Sequence, residues 1–251
     1  MRRNSVKNDV SKTEGLIVIV PAYNEEARLK RLFDKWQDIL NQYKCILVDD
    51  GSSDGTFLLA KTMNFLDVLK HERNLGKGAA VRTGILYAIN RYNAKAVLFA
   101  DADLSAGPKA WDVVAQGLQE ADVAVGSRFA CGAKVKRSKL RSVSSLAFHY
   151  LQKICLHLPV LDTQCGCKAF TRETAIKLFN PELRFPGFEF DLEILLRAVA
   201  QGLRIKEIGI EWHEERGSKV HITRDAIKLT RAVFVCQREL FGLQNAKEMP
   251  Q

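Results

Sequence analysis

Short apolar runs alternate with helical segments of about 10–15 residues through the first half of the chain, and no other feature constrains its fold as strongly. Each run is short enough to be one buried strand, and most of them stop at residues that form turns. Strands separated by helices pair in parallel through right-handed crossovers. The pattern therefore predicts an α/β protein with a mostly parallel central sheet flanked by helices. Its strands are expected at residues 16–20, 45–48, 68–69, 96–100 and 122–125, and its first helix at about 24–40.

The rest of the chain is organised around amphipathic helices. Apolar residues recur at helical spacing within 140–158 and again within 224–241, and basic residues accompany both. Such helices pack on the sheet, lie on a membrane surface, or do both. No run reaches the roughly 18 apolar residues that cross a bilayer, and no apolar signal segment opens the chain. We therefore expect a flexible N-terminal leader at 1–15, one globular domain at 16–222, and a C-terminal amphipathic helix with a tail at 223–251.

The formal net charge is +9, and part of the excess lies in one basic cluster. A basic patch binds nucleic acid, anionic lipid or phosphate-bearing substrates, or it is simply a solvated face. Charge alone favours a non-enzymatic nucleic-acid or membrane module, and such a module has no reason to keep acidic residues at strand ends. We therefore expect no nucleic-acid partner. The cluster consists of Lys134, Lys136, Arg137, Lys139 and Arg141.

The six cysteines indicate neither a zinc site nor a disulfide framework. Cys165 and Cys167 form the only close pair, and no second Cys or His pair lies at a suitable spacing for zinc. Cys45 lies in a predicted strand and is expected to be buried. A reduced, cytoplasmic compartment fits this usage best.

Asp101 and Asp103 directly follow a predicted buried strand. Ligands of parallel sheets bind at the carboxyl ends of the strands. Two carboxylates spaced by one residue at such an end can both reach a hard cation such as Mg²⁺ or Mn²⁺, which prefers oxygen ligands and bridges to substrate phosphates. The plain alternative is a capped turn.

Further polar residues follow other strands or lie at the starts of predicted helices. Asp49 and Asp50 can accept hydrogen bonds from a nucleobase or a ribose, or can form a turn with their own backbone. Lys77, between two glycines at a helix start, suits an anion such as a diphosphate, or is a loop lysine. Arg128 can clamp a phosphate or lie on the surface. Asp191 lies in a predicted helix N-terminal region, where acids are common because of the helix dipole.

Seven segments occur in an order found in one enzyme family. Residues 18–26 (VIVPAYNEE), 48–56 (VDDGSSDGT), 76–78 (GKG) and 101–103 (DAD) resemble glycosyltransferase family 2. Residues 126–128 (GSR), 162–170 (DTQCGCKAF) and 217–219 (GSK) resemble its dolichyl-phosphate mannose and dolichyl-phosphate glucose synthase branch. The resemblance covers about residues 16–222.

The resemblance implies a GT-A-like nucleotide-diphospho-sugar transferase fold and an inverting transfer of a hexose from UDP-glucose or GDP-mannose to a polyprenyl (dolichyl) phosphate. It implies that Asp101 and Asp103 hold Mg²⁺ or Mn²⁺, and that Asp103 and Arg128 are catalytic. Arg128, Lys168 and Lys219 would face the acceptor phosphate. The residues that would bind the nucleotide-sugar are Pro21, Ala22, Tyr23, Glu25, Val48, Asp49, Asp50, Lys77, Asp101 and Ala102.

The acceptor decides whether a general base is needed. A lipid phosphate is already ionised at pH 7, so it needs no base. The basic cluster and the helix at 140–158 would recruit it at the cytosolic face of a membrane. The enzyme would be peripheral there and would serve cell-envelope or protein glycosylation. The alternative acceptor is a sugar hydroxyl of a soluble or cell-surface glycan, which requires a carboxylate base. Asp191 is the candidate for that catalytic role.

The sequence departs from the branch at three places. Leu104 and Ser105 follow the acidic pair where Gln or Gly-Ala-Thr is frequent, so the resemblance supplies no third metal ligand. Cys167 stands where Phe is usual. The multi-span membrane tail of some relatives has no counterpart in this sequence.

Overall fold

The computed structural model describes residues 15–136, 158–213 and 230–235. Several predictions fall outside them: Lys219, the leader apart from Gly15, nearly all of the helix at 140–158, and the members Arg137, Lys139 and Arg141 of the basic cluster. Within the described residues, no helix has the length and apolarity needed to cross a bilayer.

Nine strands lie within the described residues. They are β1 (Leu16–Ala22), β2 (Cys45–Asp49), β3 (Asp67–Lys70), β4 (Ala96–Ala100), β5 (Val123–Ser127), β6 (Lys134–Lys136), β7 (Cys167–Thr171), β8 (Ile205–Gly209) and β9 (Glu211–His213). Seven of them form one sheet in the order β3-β2-β1-β4-β7-β5-β8, in which β7 alone is antiparallel to its neighbours. β6 and β9 form a separate parallel pair. The predicted, mostly parallel sheet is confirmed, and all five predicted strands belong to it.

The described helices cover the two faces of this sheet. They are α1 (Glu26–Arg31), α2 (Phe33–Leu40), α3 (Thr56–Lys61), α4 (Lys77–Tyr92), α5 (Pro108–Gln116), α6 (Arg172–Phe179) and α7 (Phe190–Ala200), with a 3-10 turn at Gly117–Gln119. The single helix predicted at 24–40 is wrong, because the chain breaks at Leu32 and continues as a second helix. α7 begins where the acidic helix start was predicted.

Two hydrophobic cores lie on opposite faces of the sheet. In β1, Val18 packs into the core that contains Trp111 of α5, and the next residue, Ile19, packs into the core that contains Phe190 of α7. A strand buried on both faces must be apolar at successive positions, which explains the unbroken apolar runs in the sequence. Gly84 lets α4 approach β1 closely, because a Cβ there would lie 2.4 Å from Ile19 Cγ2.

The described part of the C-terminal segment packs on α7. Residues 230–235 are helical, as predicted for 224–241. Ala232 and Val233 are buried against Leu192 and Leu196, whereas Phe234 is exposed. This part of the segment therefore packs on a helix of the globular domain rather than directly on the sheet.

Candidate active site

The carboxyl ends of four strands meet at one edge of the sheet. Ala22 at the end of β1 lies level with Asp49 at the end of β2, and β4 is parallel to β1. β5 runs in the same direction, because both β4 and β5 pair antiparallel with β7. The prediction that polar residues after these strands gather at one edge is confirmed, and this edge is the candidate site.

Asp101 and Asp103 follow β4 at this edge. Asp101 donates its backbone N–H to the Gly166 carbonyl at 3.2 Å, and its Oδ1 lies 2.6 Å from Lys77 Nζ. Asp103 Oδ1 accepts the backbone N–H of Ser105 at 2.9 Å. The chain turns sharply between Asp103 and Ser105, because Leu104 has a φ of 57°.

The two carboxylates suit a divalent cation. Burial raises the pKa of Asp103, and the negative charge of Asp101 raises it further, while hydrogen bonds from Ser105 oppose both effects. A cation between the carboxylates would relieve that repulsion. No group of three or more His, Cys, Asp or Glu side chains that could hold a metal occurs in the described residues. Mg²⁺ and Mn²⁺ commonly complete their shells with substrate phosphates and water, so a two-carboxylate set fits.

Lys77 places a positive charge in direct contact with the acidic pair, at Asp101. It is the first residue of α4, where the helix dipole also favours an anion. Burial alone would lower the pKa of Lys77, but the carboxylates of Asp101, Asp191 and Asp103 outweigh burial and raise it. Its ammonium also lies 5.8 Å from the ring centroid of Phe188. Lys77 is therefore a fixed positive charge beside the carboxylates.

Lys168 and Asp191 form a buried ion pair beneath this edge. Lys168 Nζ lies 2.5 Å from Asp191 Oδ1 and donates to the Cys165 carbonyl at 2.7 Å, and the two side chains are only 1% and 2% exposed. Burial raises the pKa of Asp191, and Lys168 and Lys77 counteract part of that rise. The ammonium of Lys168 is enclosed by protein groups in this structure, and the expectation that it faces an acceptor phosphate stays a prediction.

Arg128, just after β5, is held by Asp162. Its Nε and Nη2 donate to the two carboxylate oxygens at 2.7 and 2.8 Å, and its backbone N–H donates to Oδ2 at 2.9 Å. Burial alone would raise the pKa of Asp162, but the guanidinium holds it below its usual range. The Arg128 guanidinium carbon lies 5.1 Å from the Trp212 ring centroid. Arg128 thus lies at the predicted edge, with two of its guanidinium nitrogens and its backbone nitrogen bound to Asp162.

Asp49 and Asp50, at the end of β2, have different partners. Asp49 Oδ1 accepts from the backbone and hydroxyl of Ser52, while its buried Oδ2 has no hydrogen-bond partner among the described residues. Asp50 accepts from the ring of His71 at 2.7 Å and from the backbone N–H groups of Leu75 and Gly76 at 2.9 and 2.8 Å. Asp49 therefore keeps an unused acceptor atom at this edge, whereas Asp50 binds the loop before α4.

The other predicted nucleotide ligands divide between the surface and the core. Tyr23 is 40% exposed at the edge, and Glu25 forms an ion pair with Arg28. The side chains of Ala22, Val48 and Ala102 are buried in the hydrophobic cores, so only their backbones can meet a ligand, and Pro21 is half-buried.

Four residues at the site were not predicted: His71, Asp162, Gly166 and Trp212. The segment 162–170 contains two of them, and its sequence indicates family likeness without indicating a role for either residue. A Cβ on Gly166 would lie 1.9 Å from Asp101 Oδ2, so this glycine shapes the acidic pair. His71 and Trp212 carry no local signal, because their partners are distant in sequence.

A mostly parallel sheet with an acidic pair after β4 and a lysine at the start of α4 agrees with the GT-A-like nucleotide-diphospho-sugar transferase fold that the resemblance implies. Comparison with known proteins agrees, because the model of Glycosyl transferase family 2 matches residues 17–179. The chain therefore belongs to glycosyltransferase family 2 and is a glycosyltransferase.

Individual relatives extend this likeness over most of the chain. The dolichyl-phosphate beta-glucosyltransferases of Saccharomyces cerevisiae and Drosophila melanogaster are 33% and 35% identical to it, and each alignment covers 88% of this chain and 73% of the relative. Glucosyl-3-phosphoglycerate synthase of Mycobacterium tuberculosis, solved in complex with Mn²⁺, uridine-diphosphate-glucose and phosphoglyceric acid, superposes with a TM-score of 0.65 at 20% identity. That match covers 94% of this chain and 84% of the synthase, and it shows the shared fold.

Proposed function

We propose that this enzyme transfers glucose from UDP-glucose to a polyprenyl phosphate, with inversion at the anomeric carbon and with Mg²⁺ or Mn²⁺. The observation that carries the proposal is the juxtaposition of Asp101, Asp103 and Lys77 at the carboxyl edge, with Lys77 Nζ 2.6 Å from Asp101 Oδ1. Opposite charges held this close suit a complex of a metal ion with a diphosphate, because that complex has a cationic part and an anionic part.

Charged groups at the site would stabilise UDP as the leaving group. Asp101 and Asp103 would hold the divalent ion, which when bound would offset the negative charge that develops on the departing UDP. Lys77 and the N-terminus of α4 would bind the diphosphate oxygens. The end of β2 at Asp49 would lie beside the nucleoside, at the opposite end of the donor.

The acceptor phosphate attacks the anomeric carbon from the side opposite the diphosphate. A bond forms between the phosphate oxygen and that carbon, the bond to UDP breaks with its electron pair, and the products are UDP and a glucosyl phosphoryl polyprenol. No proton has to be removed from the nucleophile, because it is already an anion. The structure of the site favours this acceptor, since Asp191, the candidate base for a hydroxyl, is only 2% exposed and is paired with Lys168.

The choice of glucose and of a lipid acceptor follows the relatives, which are named dolichyl-phosphate beta-glucosyltransferases. The choice of UDP follows the structural neighbour that binds uridine-diphosphate-glucose. The basic cluster and the predicted amphipathic helix at 140–158 would bring the enzyme to the cytosolic face of a membrane.

Labelled UDP-glucose and GDP-mannose, each supplied with polyprenyl phosphate, polyprenol or soluble glycans, test this function. The proposal predicts a label in the organic phase only with UDP-glucose, polyprenyl phosphate and a divalent ion, and a β-linked product by NMR. Transfer to soluble glycans without lipid would replace it with the hydroxyl-acceptor alternative. Transfer from GDP-mannose alone would overturn the donor assignment.

A further inference from the structure

We propose that His71 is a positioning residue, and that the chain Asp50–His71–Thr83 fixes the loop at 71–76 so that Lys77 is held at the diphosphate. The inference rests on the proposed function, because it concerns the group that would bind the diphosphate of the donor. It also assigns Asp50 to this loop rather than to the nucleoside.

Asp50 is committed to the loop before α4. Its Oδ1 accepts from His71 Nδ1 at 2.7 Å and from the Leu75 N–H at 2.9 Å, and its Oδ2 accepts from the Gly76 N–H at 2.8 Å. Asp50 is 2% exposed, so its carboxylate is enclosed by these donors. Charge-assisted bonds of this kind are stronger than neutral ones, and here they end at the two residues that precede Lys77.

His71 joins β2 to α4. Its backbone N–H donates to the Asp49 carbonyl at 2.9 Å, and its Nε2 lies 3.0 Å from the Thr83 hydroxyl in the second turn of α4. An ionised carboxylate only accepts hydrogen bonds, so Nδ1 carries the hydrogen toward Asp50 and Nε2 pairs with the hydroxyl. With 10% of its side chain exposed, the ring bridges the strand end and the helix with both nitrogens bound.

The loop is also wedged between two backbones. Gly51 has a φ of +69°, and a Cβ there would lie 2.3 Å from the carbonyl carbon of Arg73. Gly76 has a φ of +104°, and a Cβ there would lie 2.4 Å from the Pro186 carbonyl oxygen. The loop therefore packs closely against other backbone at both of these points, and the hydrogen bonds of His71 add a third attachment.

These contacts fix the position of Lys77. Gly76 is bonded to Asp50 and α4 is bonded to His71, so both chain segments that flank Lys77 are tied to the end of β2. Loss of the His71 bridge would let the start of α4 shift relative to Asp101. A displacement of about 1 Å in a charge that binds the reacting group costs up to about 10²-fold in rate.

Four variants test the chain of contacts. His71→Phe keeps the ring and removes both hydrogen bonds, and Thr83→Val removes the hydroxyl. Thr83→Ser retains the hydroxyl and is the matched control. Asp50→Asn separates the two roles of Asp50. For each, we would measure kcat and KM for both substrates, Mn²⁺-dependent UDP affinity, melting temperature, and the rate at which acetic anhydride acylates the Lys77 amine.

We expect His71→Phe and Thr83→Val to lower kcat by about 10- to 100-fold, with the acceptor KM unchanged, and to raise the acylation rate of Lys77 severalfold. Thr83→Ser should behave as the wild type. A lower melting temperature with no change in Lys77 acylation would mean a merely structural role and would overturn the inference. Loss of UDP affinity in Asp50→Asn with unchanged Lys77 acylation would return Asp50 to the nucleoside.

The acylation readout needs no sugar donor. If the wild type transfers no glucose, the proposed function fails while Lys77 acylation still decides whether His71 positions this lysine. If the wild type transfers glucose and the variants match it in both kcat and acylation, the inference fails and the function stands.

Discussion

Gly166→Ala should disable the acidic pair while the sheet stays intact. A Cβ at this position would lie 1.9 Å from Asp101 Oδ2 and 2.4 Å from its Cγ. The carboxylate must therefore move by about 1.5 Å to regain a normal separation of ~3.5 Å. The backbone tolerates alanine, because Gly166 does not have a positive φ. The substitution thus acts through the position of Asp101.

The magnitudes differ for stability and activity. The Asp101 side chain is 29% exposed and can swing outward, so we expect at most about 1–3 kcal/mol of destabilisation, the usual cost of an overpacked site. Outward rotation breaks the 2.6 Å contact with Lys77 and moves a metal ligand, which we expect to lower kcat/KM by about 10²-fold. Steady-state transfer assays at several Mn²⁺ concentrations, with melting curves, measure both effects.

Gly107→Ala is the matched control. Gly107 follows the acidic pair in sequence, and its φ is −76°. The nearest atom to a Cβ added there is 4.0 Å away. This variant should retain wild-type kcat/KM and Mn²⁺ dependence. The reasoning would be refuted if Gly166→Ala matched the wild type in both, because Asp101 would then act without a fixed position.

Two buried ion pairs give further predictions. Asp162→Asn leaves the Arg128 charge uncompensated and should destabilise the protein by about 3–5 kcal/mol at pH 7 in urea unfolding. Arg128 holds the pKa of Asp162 below its unfolded value, so the stability from this ion pair is complete above the unfolded pKa and is lost as the pH falls through the folded pKa. The curves of unfolding free energy against pH for the wild type and Asp162→Asn should therefore converge in acid. A constant difference between them down to pH 2 would contradict this. Lys168→Met should cost about 3–5 kcal/mol because it leaves Asp191 alone in the interior, and Lys168→Met with Asp191→Leu should cost less than Lys168→Met alone, a result that urea unfolding of both variants checks. Equal losses in the single and double variants would argue against an ion pair.

The strands that could be predicted were those whose apolar residues end at turn-forming residues. β1 ends in Pro21-Ala22 and β4 ends just before Asp101, so local sequence sufficed. β7 was not predicted, because it contains Lys168, and a charge in a central strand is tolerated only through a partner in α7 that is far along the chain. Long-range neutralisation of this kind has no local signature.

The site shows the same difference between features with a local sequence signal and features that depend on distant partners. The carboxyl-edge rule predicts that Asp101, Asp103 and Arg128 lie at one edge, because it depends only on strand order and direction. Lys77 is predicted separately, from its place at a helix start. The rule could not predict which oxygens and nitrogens were already engaged. Asp50 illustrates this: the partners that its carboxylate binds lie 21 to 26 residues away, so its contacts with the loop before α4 have no local signal.

The central claim is that Asp101 and Asp103 form a metal-dependent diphosphate site. Calorimetric titration of UDP into the wild type and into Asp103→Ala, each with and without Mn²⁺, tests it most directly. Loss of a metal contact to charged oxygens is worth several kcal/mol, so Mn²⁺ should raise UDP affinity by at least about tenfold in the wild type and have little effect in Asp103→Ala. Equal UDP affinities with and without Mn²⁺ in the wild type would contradict the account.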